Sequence, residues 1–185
     1  MISQFMAPCH FMLMTFMALL FIQAALHKGS DIHRFSGYVA NYHCFLQPFS
    51  MVIAYLLLTL EIMATVLAIV PATSVFGQGL FLLILALYTL AITLSVIWGK
   101  STIDCGCGGP SVKVSPQTVA RNLCLLMLCV LMITLPAESI SRPMLIAAIF
   151  AGFTLWMGYI LAEQLMRNSD LINRFRYSLH TQEQR

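Results

Sequence analysis

The sequence predicts an all-α integral membrane protein, a four- to five-helix transmembrane bundle with one short interfacial helix. Three observations carry this. Of 185 residues, 59% are hydrophobic and only 9% are charged, a balance that calls for lipid as solvent. The mean hydropathy of +0.85 points the same way. The apolar residues also gather into five runs, each close to the roughly 20 residues a helix needs to cross a bilayer.

The first run, near 8–27, has no basic stretch before it and no clear small-residue cleavage site, and Lys28 follows directly. It reads as a signal anchor that stays attached. Beyond it, Ile32, Phe35, Val39, Tyr42 and Leu46 recur at helical spacing, which predicts a short amphipathic helix in the interface. Trp98 is the expected interfacial anchor on that side. The second run, 48–70, opens at Pro48, where a missing N–H does no harm, and stops at Pro71. The third covers 77–98. The fourth, 117–136, ends at Pro136, and the fifth, 143–166, opens at Pro143. The tail 167–185 is polar and basic and is expected to extend the last helix only briefly. No repeat stands out, so residues 1–185 read as a single transmembrane domain. The net charge of +3 is too small and dispersed for nucleic acid; the lipid bilayer is the expected partner.

Chemistry concentrates at 104–107, Asp-Cys-Gly-Cys, in the only polar, glycine-rich loop. Cys105 and Cys107, separated by Gly106, have no core to pack into. They can close a strained disulfide, exchange with a partner's thiols, or bind a soft metal. Cys9 and Cys129 read as small hydrophobes. With five spans, the 28–47 loop, the 99–116 loop and the tail share one side of the membrane. Cys44, Cys105 and Cys107 therefore face the same way, with His27, His33 and His43, whereas Cys9 and His10 start opposite. Cys124 lies about 10 Å into the fourth span.

Two intramembrane charges stand out. Arg121, three residues before Cys124 and on much the same helix face, can snorkel to the headgroups or face the thiol loop, where a cation favours thiolate. Asp104 would oppose that and Lys100 assist it. Glu61 is a carboxylate well inside a span, either a functional group or an interhelical hydrogen-bonding one. Its depth differs from that of Arg121 by about 15 Å, so a direct salt bridge between them is not expected. Tyr88, Thr89 and Thr93 are candidate partners.

Lys28, Phe35, Asn41-Tyr42, Pro48, Glu61, Ile103-Asp104-Cys105-Gly106-Cys107, Ser115 and Arg121-Asn122-Leu123 together resemble the MauE family of methylamine-utilisation membrane proteins, part of the broader DoxX-like group. The resemblance covers roughly residues 10 to 135. Gly108-Gly109-Pro110 departs from the family's usual aromatic and glycine after the second cysteine, which leaves the thiol pair in place.

The resemblance implies a protein of the bacterial inner membrane that acts in maturation of the methylamine dehydrogenase small subunit. That subunit is periplasmic, dense in disulfides, and carries a quinone cofactor made from tryptophan. The implied partner is the thioredoxin-like protein MauD. Cys105 and Cys107 would then exchange disulfides, with Cys44 as a resolving or shuttling thiol and Arg121 beside them; Asp104, Gly106, Glu61 and Cys124 would support. No cofactor is certain. A quinone is a candidate electron acceptor, although no quinone site is recognisable. Two alternatives stay open: a zinc or copper site built from the three cysteines and a histidine, and a docking scaffold without redox turnover. Orientation is contested. Lys28, Arg34, Lys100, Lys113, Arg167, Arg174, Arg176 and Arg185 lie on the cysteine side against Arg142 opposite, so the positive-inside rule places the cysteines in the cytoplasm. The implied function places them in the periplasm, where disulfides persist.

Overall fold

Uninterrupted apolar runs with no aqueous partner for their backbone must satisfy every N–H and C=O internally, and the helix does so within one segment. The computed structural model describes residues 2–42, 44–98 and 116–183, with side chains described outside 2–5, 41–42, 44–46, 116, 166–167 and 169–183. Its α-helices are α1 (Ile2–Ser30), α2 (Ile32–Tyr42), α3 (Ser50–Ile69), α4 (Ser74–Ile97), α5 (Pro116–Thr134) and α6 (Arg142–Glu183). Five are long and apolar enough to cross a membrane, over Met6–Ser30, Gln47–Ile69, Pro71–Ile97, Gln117–Thr134 and Arg142–Leu165. The chain is a multi-pass membrane protein, with five helices able to span among the described residues.

The interfacial helix is α2. Asp31 caps it, its Oδ1 accepting from the Arg34 backbone N–H at 3.0 Å, which satisfies one orphan donor of the first turn. Phe35 and Val39 then bury against Ala54 of α3, with Ile32 packed beside them, so this part of the apolar stripe read from the sequence faces protein. Pro48 lies in a short 3-10 turn, Cys44–Phe49, that leads into α3.

A second 3-10 turn, Pro71–Thr73, folds α3 back onto α4. Thr73 Oγ1 donates to the Leu67 carbonyl at 3.0 Å, taking up one of the acceptors a helix end leaves over. Gly77 sits at the crossing of these helices, where a Cβ would lie 2.2 Å from the Ala68 nitrogen. Close backbone approach at small residues is how membrane helices gain packing without a hydrophobic driving force. Gly152 does the same between α6 and α1: a Cβ there would lie 2.5 Å from the Met12 carbonyl oxygen.

Helix α1 is central, packing on α3, α5 and α6, while α4 lies between α3 and α5. Phe16, Met17 and Phe21 of α1 meet Phe81, Ile84 and Leu85 of α4 and Leu125, Cys129 and Met132 of α5. Polar ties cross this core. The His10 Nδ1–H donates to the Met132 carbonyl at 2.9 Å, and the Gln78 amide lies 3.4 Å from His10 Nε2. Trp156 Nε1 donates to Gln23 Oε1 at 3.0 Å, joining α6 to α1. Leu83, Leu87, Phe150 and Leu161 point outward and are exposed, as lipid-facing residues must be. The brief extension expected for the last helix is corrected: α6 runs for 42 residues to Glu183, about 63 Å at the helical rise.

Candidate functional site

Helix α1 extends past the predicted end of its span, and this last turn carries Lys28 inward. Lys28 is 1% exposed and Glu61 of α3 is 0% exposed. Lys28 Nζ forms an ion pair with Glu61 Oε1 and donates to the Tyr88 hydroxyl of α4 at 2.8 Å. Tyr88 in turn donates to Glu61 Oε1 at 2.6 Å. The ammonium also lies 4.4 Å from the Tyr88 ring centroid and 5.0 Å from that of Phe35, both within cation–π range. Three helices thus close a buried triad, with α2 covering it through Phe35.

This corrects one expectation. Lys28 is not a loop cation, because its charge is balanced by Glu61 inside the bundle. It therefore drops out of the orientation count, leaving seven basic residues on the cysteine side. Sequence reasoning misses the pair because its two members lie on different helices, far apart along the chain, and no local signal links them. Tyr88 is a candidate partner of Glu61 on sequence grounds, and the structure brings the two together.

A second ion pair lies nearby. Arg121 Nη1 of α5 donates to Glu163 Oε1 of α6 at 2.7 Å, with side chains 15% and 10% exposed. Sequence reasoning misses Glu163 as well. Depth and helix parity are the available signal, since the start of α5 and the end of the last span lie at the same face. Arg121→Ala is expected to cost about 1–3 kcal/mol of stability, since Glu163 loses its partner. Glu163→Ala in the same background should add little, and a fully additive double mutant would show that the pair is not coupled.

Between the two ion pairs lies a cavity of about 30 Å³, whose lining includes Glu61, Tyr88, Arg121, Asn122 and Tyr159. Glu61 and Arg121, expected at well-separated depths, share this cavity, although each pairs with a different residue. Two of its lining residues each hold a buried polar atom, Glu61 Oε2 and Asn122 Nδ2, without a hydrogen-bond partner among the described residues.

The thiols divide differently. Asp104, Cys105, Gly106, Cys107 and His43 lie outside the described residues. Cys44 opens the 3-10 turn between α2 and α3, and its side chain is likewise outside them. Cys124 is exposed, and Cys129 is buried in the core. Arg121, one turn before the exposed Cys124 on α5, turns to Glu163 of α6. Among the described residues no group of three His, Cys, Asp or Glu is placed to hold a metal ion.

Residues 6–135 match the family model described as methylamine utilisation protein MauE. The methylamine utilization protein MauE of Paracoccus denitrificans is 32% identical over 154 residues, covering 81% of this chain and 83% of that protein. The protein of the same name from Methylorubrum extorquens is 30% identical over 158 residues, covering 82% and 83%. That of Paracoccus versutus is 31% identical over 115 residues, covering 61% and 62%. No solved structure matches the chain.

Proposed function

This chain belongs to the methylamine utilisation protein MauE family, and on that premise we propose that it acts in methylamine utilisation as a membrane thiol–disulfide relay. Its client is the small subunit of methylamine dehydrogenase, and its soluble partner is the thioredoxin-like protein MauD. The observation that carries this reading is the Cys105-Gly106-Cys107 pair, placed in the polar connection between α4 and α5 of an otherwise apolar chain.

A disulfide closed across one residue is strained, and strained, exposed disulfides are the oxidising kind. A partner thiolate attacks one sulfur of the Cys105–Cys107 disulfide, forming a mixed disulfide and releasing the other sulfur as thiolate. The partner's second thiolate then breaks the mixed bond. The partner leaves oxidised by two electrons and the pair is left reduced. Cys44, on the same side of the membrane by helix parity, serves as a shuttling thiol for the reduced pair. Arg121, engaged by Glu163, acts by tying α5 to α6 beneath the loop.

Reoxidation of the pair requires a two-electron acceptor, either a membrane quinone or a second protein. The cavity beside Glu61, about 30 Å³, is too small for a quinone ring, since an apolar cavity that admits benzene measures about 150 Å³. No step is therefore routed through it. We place the protein in the bacterial inner membrane with the cysteine loop in the periplasm, the compartment in which disulfides persist.

The test is a trap. Cys107→Ser and Cys105→Ser, each alone, should accumulate a reductant-sensitive covalent adduct with the thioredoxin-like partner. The double variant should yield neither adduct nor mature dehydrogenase small subunit. A double-serine chain that supports normal maturation would leave only a docking role.

A further inference from the structure

The cavity between the two ion pairs has a chemistry of its own, independent of the thiol loop. Glu61 Oε1 is engaged by Lys28 and Tyr88. Its second oxygen, Oε2, is buried without a partner among the described residues, and so is Asn122 Nδ2. Both residues line the same cavity. One of these atoms accepts a hydrogen bond and the other donates one. A ligand that both donates and accepts satisfies the two at once, and it does so whichever way the Asn122 amide is turned.

Size decides which ligand. A buried water molecule needs a cavity of only about one probe sphere, whereas a ring needs roughly ten times as much. The volume of about 30 Å³ therefore admits two waters and excludes a ring. Position decides the direction of access. Asn122 lies six residues from the first residue of α5 and twelve from its last, about 9 Å against about 18 Å. The cavity is thus nearer the end of α5 that receives the α4–α5 connection. Phe35 of α2 covers Lys28 at this end of the bundle but does not line the cavity.

We propose that this cavity is a hydrated proton-exchange site, in which water seated between Glu61 and Asn122 carries protons between the Glu61 carboxylate and the aqueous face bearing the α4–α5 connection. A proton passes from a hydronium ion to Glu61 Oε2, leaving water, and returns by the reverse step; no electrons move. The groups around it are Lys28 on α1, Tyr88 on α4, Arg121 and Asn122 on α5, and Tyr159 with Glu163 on α6. The charged groups stand as two ion pairs, Lys28 with Glu61 and Arg121 with Glu163. Intramembrane carboxylates that face a bundle interior are the usual parts of proton relays.

The test is pH-jump infrared spectroscopy of the full-length protein in lipid nanodiscs, in H2O and D2O. Acidification should raise a carboxylic-acid C=O band that shifts in D2O and is missing in Glu61→Gln. In Asn122→Leu the band should rise about tenfold more slowly, the factor worth one net hydrogen bond. Ala24→Val narrows the cavity from α1 without touching a polar group, and should slow the rise similarly if Asn122→Leu does not fold. A wild-type protein with no Glu61 band, or Asn122→Leu and Ala24→Val variants that both fold and keep the wild-type rate, would overturn the proposal. Each result reads the cavity alone, so it stands or falls separately from disulfide trapping at Cys105 and Cys107.

Discussion

Replacing Glu61 by leucine should destabilise the bundle by about 3–5 kcal/mol, the usual consequence of leaving one member of a buried ion pair uncompensated. The geometry explains the size. Lys28 and Glu61 are almost fully buried, and the ammonium is held from three sides by Glu61, Tyr88 and the Phe35 ring. Without the carboxylate, Lys28 keeps its desolvation and loses its countercharge, and Tyr88 loses its acceptor. The double variant Lys28→Met with Glu61→Leu should recover most of the loss, because removing both charges removes the desolvation as well. Unfolding by SDS titration in mixed micelles measures this directly. Equal losses in the single and double variants would mean that the ammonium escapes to the interface when unpaired, and that the pair contributes packing alone.

The second large effect is expected at Gly77. A methyl group there would meet the Ala68 nitrogen at 2.2 Å, its Cα at 2.5 Å and the Leu67 carbonyl carbon at 2.7 Å. All three are backbone atoms of α3, so no side-chain rotation relieves the overlap, and α4 must move away from α3. Gly77→Ala should therefore cost about 3 kcal/mol, the upper end of the range for overpacking. Gly79, two residues on, has nothing within 4 Å of its added Cβ. There the same change should stabilise by about 0.5–1 kcal/mol, because alanine is the better helix former. Opposite signs two residues apart would establish close backbone approach, whereas like signs would refute it.

Both predictions concern features that no local pattern reveals. Gly77 is indistinguishable from Gly79 in the sequence, and Lys28 reads as the positive charge that commonly follows a membrane span. Glu61 is legible as a suspect because a carboxylate inside an apolar run is unusual in itself. Its partner is not legible, since a different helix supplies it from far along the chain. Arg121 is legible for the same reason as Glu61, yet sequence alone offers it the thiol loop or the headgroups and never the α6 carboxylate that holds it.

The sequence by itself determined the apolar spans, the short amphipathic helix and the family. These depend on composition, periodicity and motif, which are properties of neighbours along the chain. The tertiary structure alone decided which buried charges pair, that Glu61 and Asn122 face one cavity, and where two helices touch backbone to backbone. Those depend on the rotation and tilt of each helix about its axis. In lipid such angles are set by close packing and by the mutual satisfaction of buried polar groups, and no single helix encodes them.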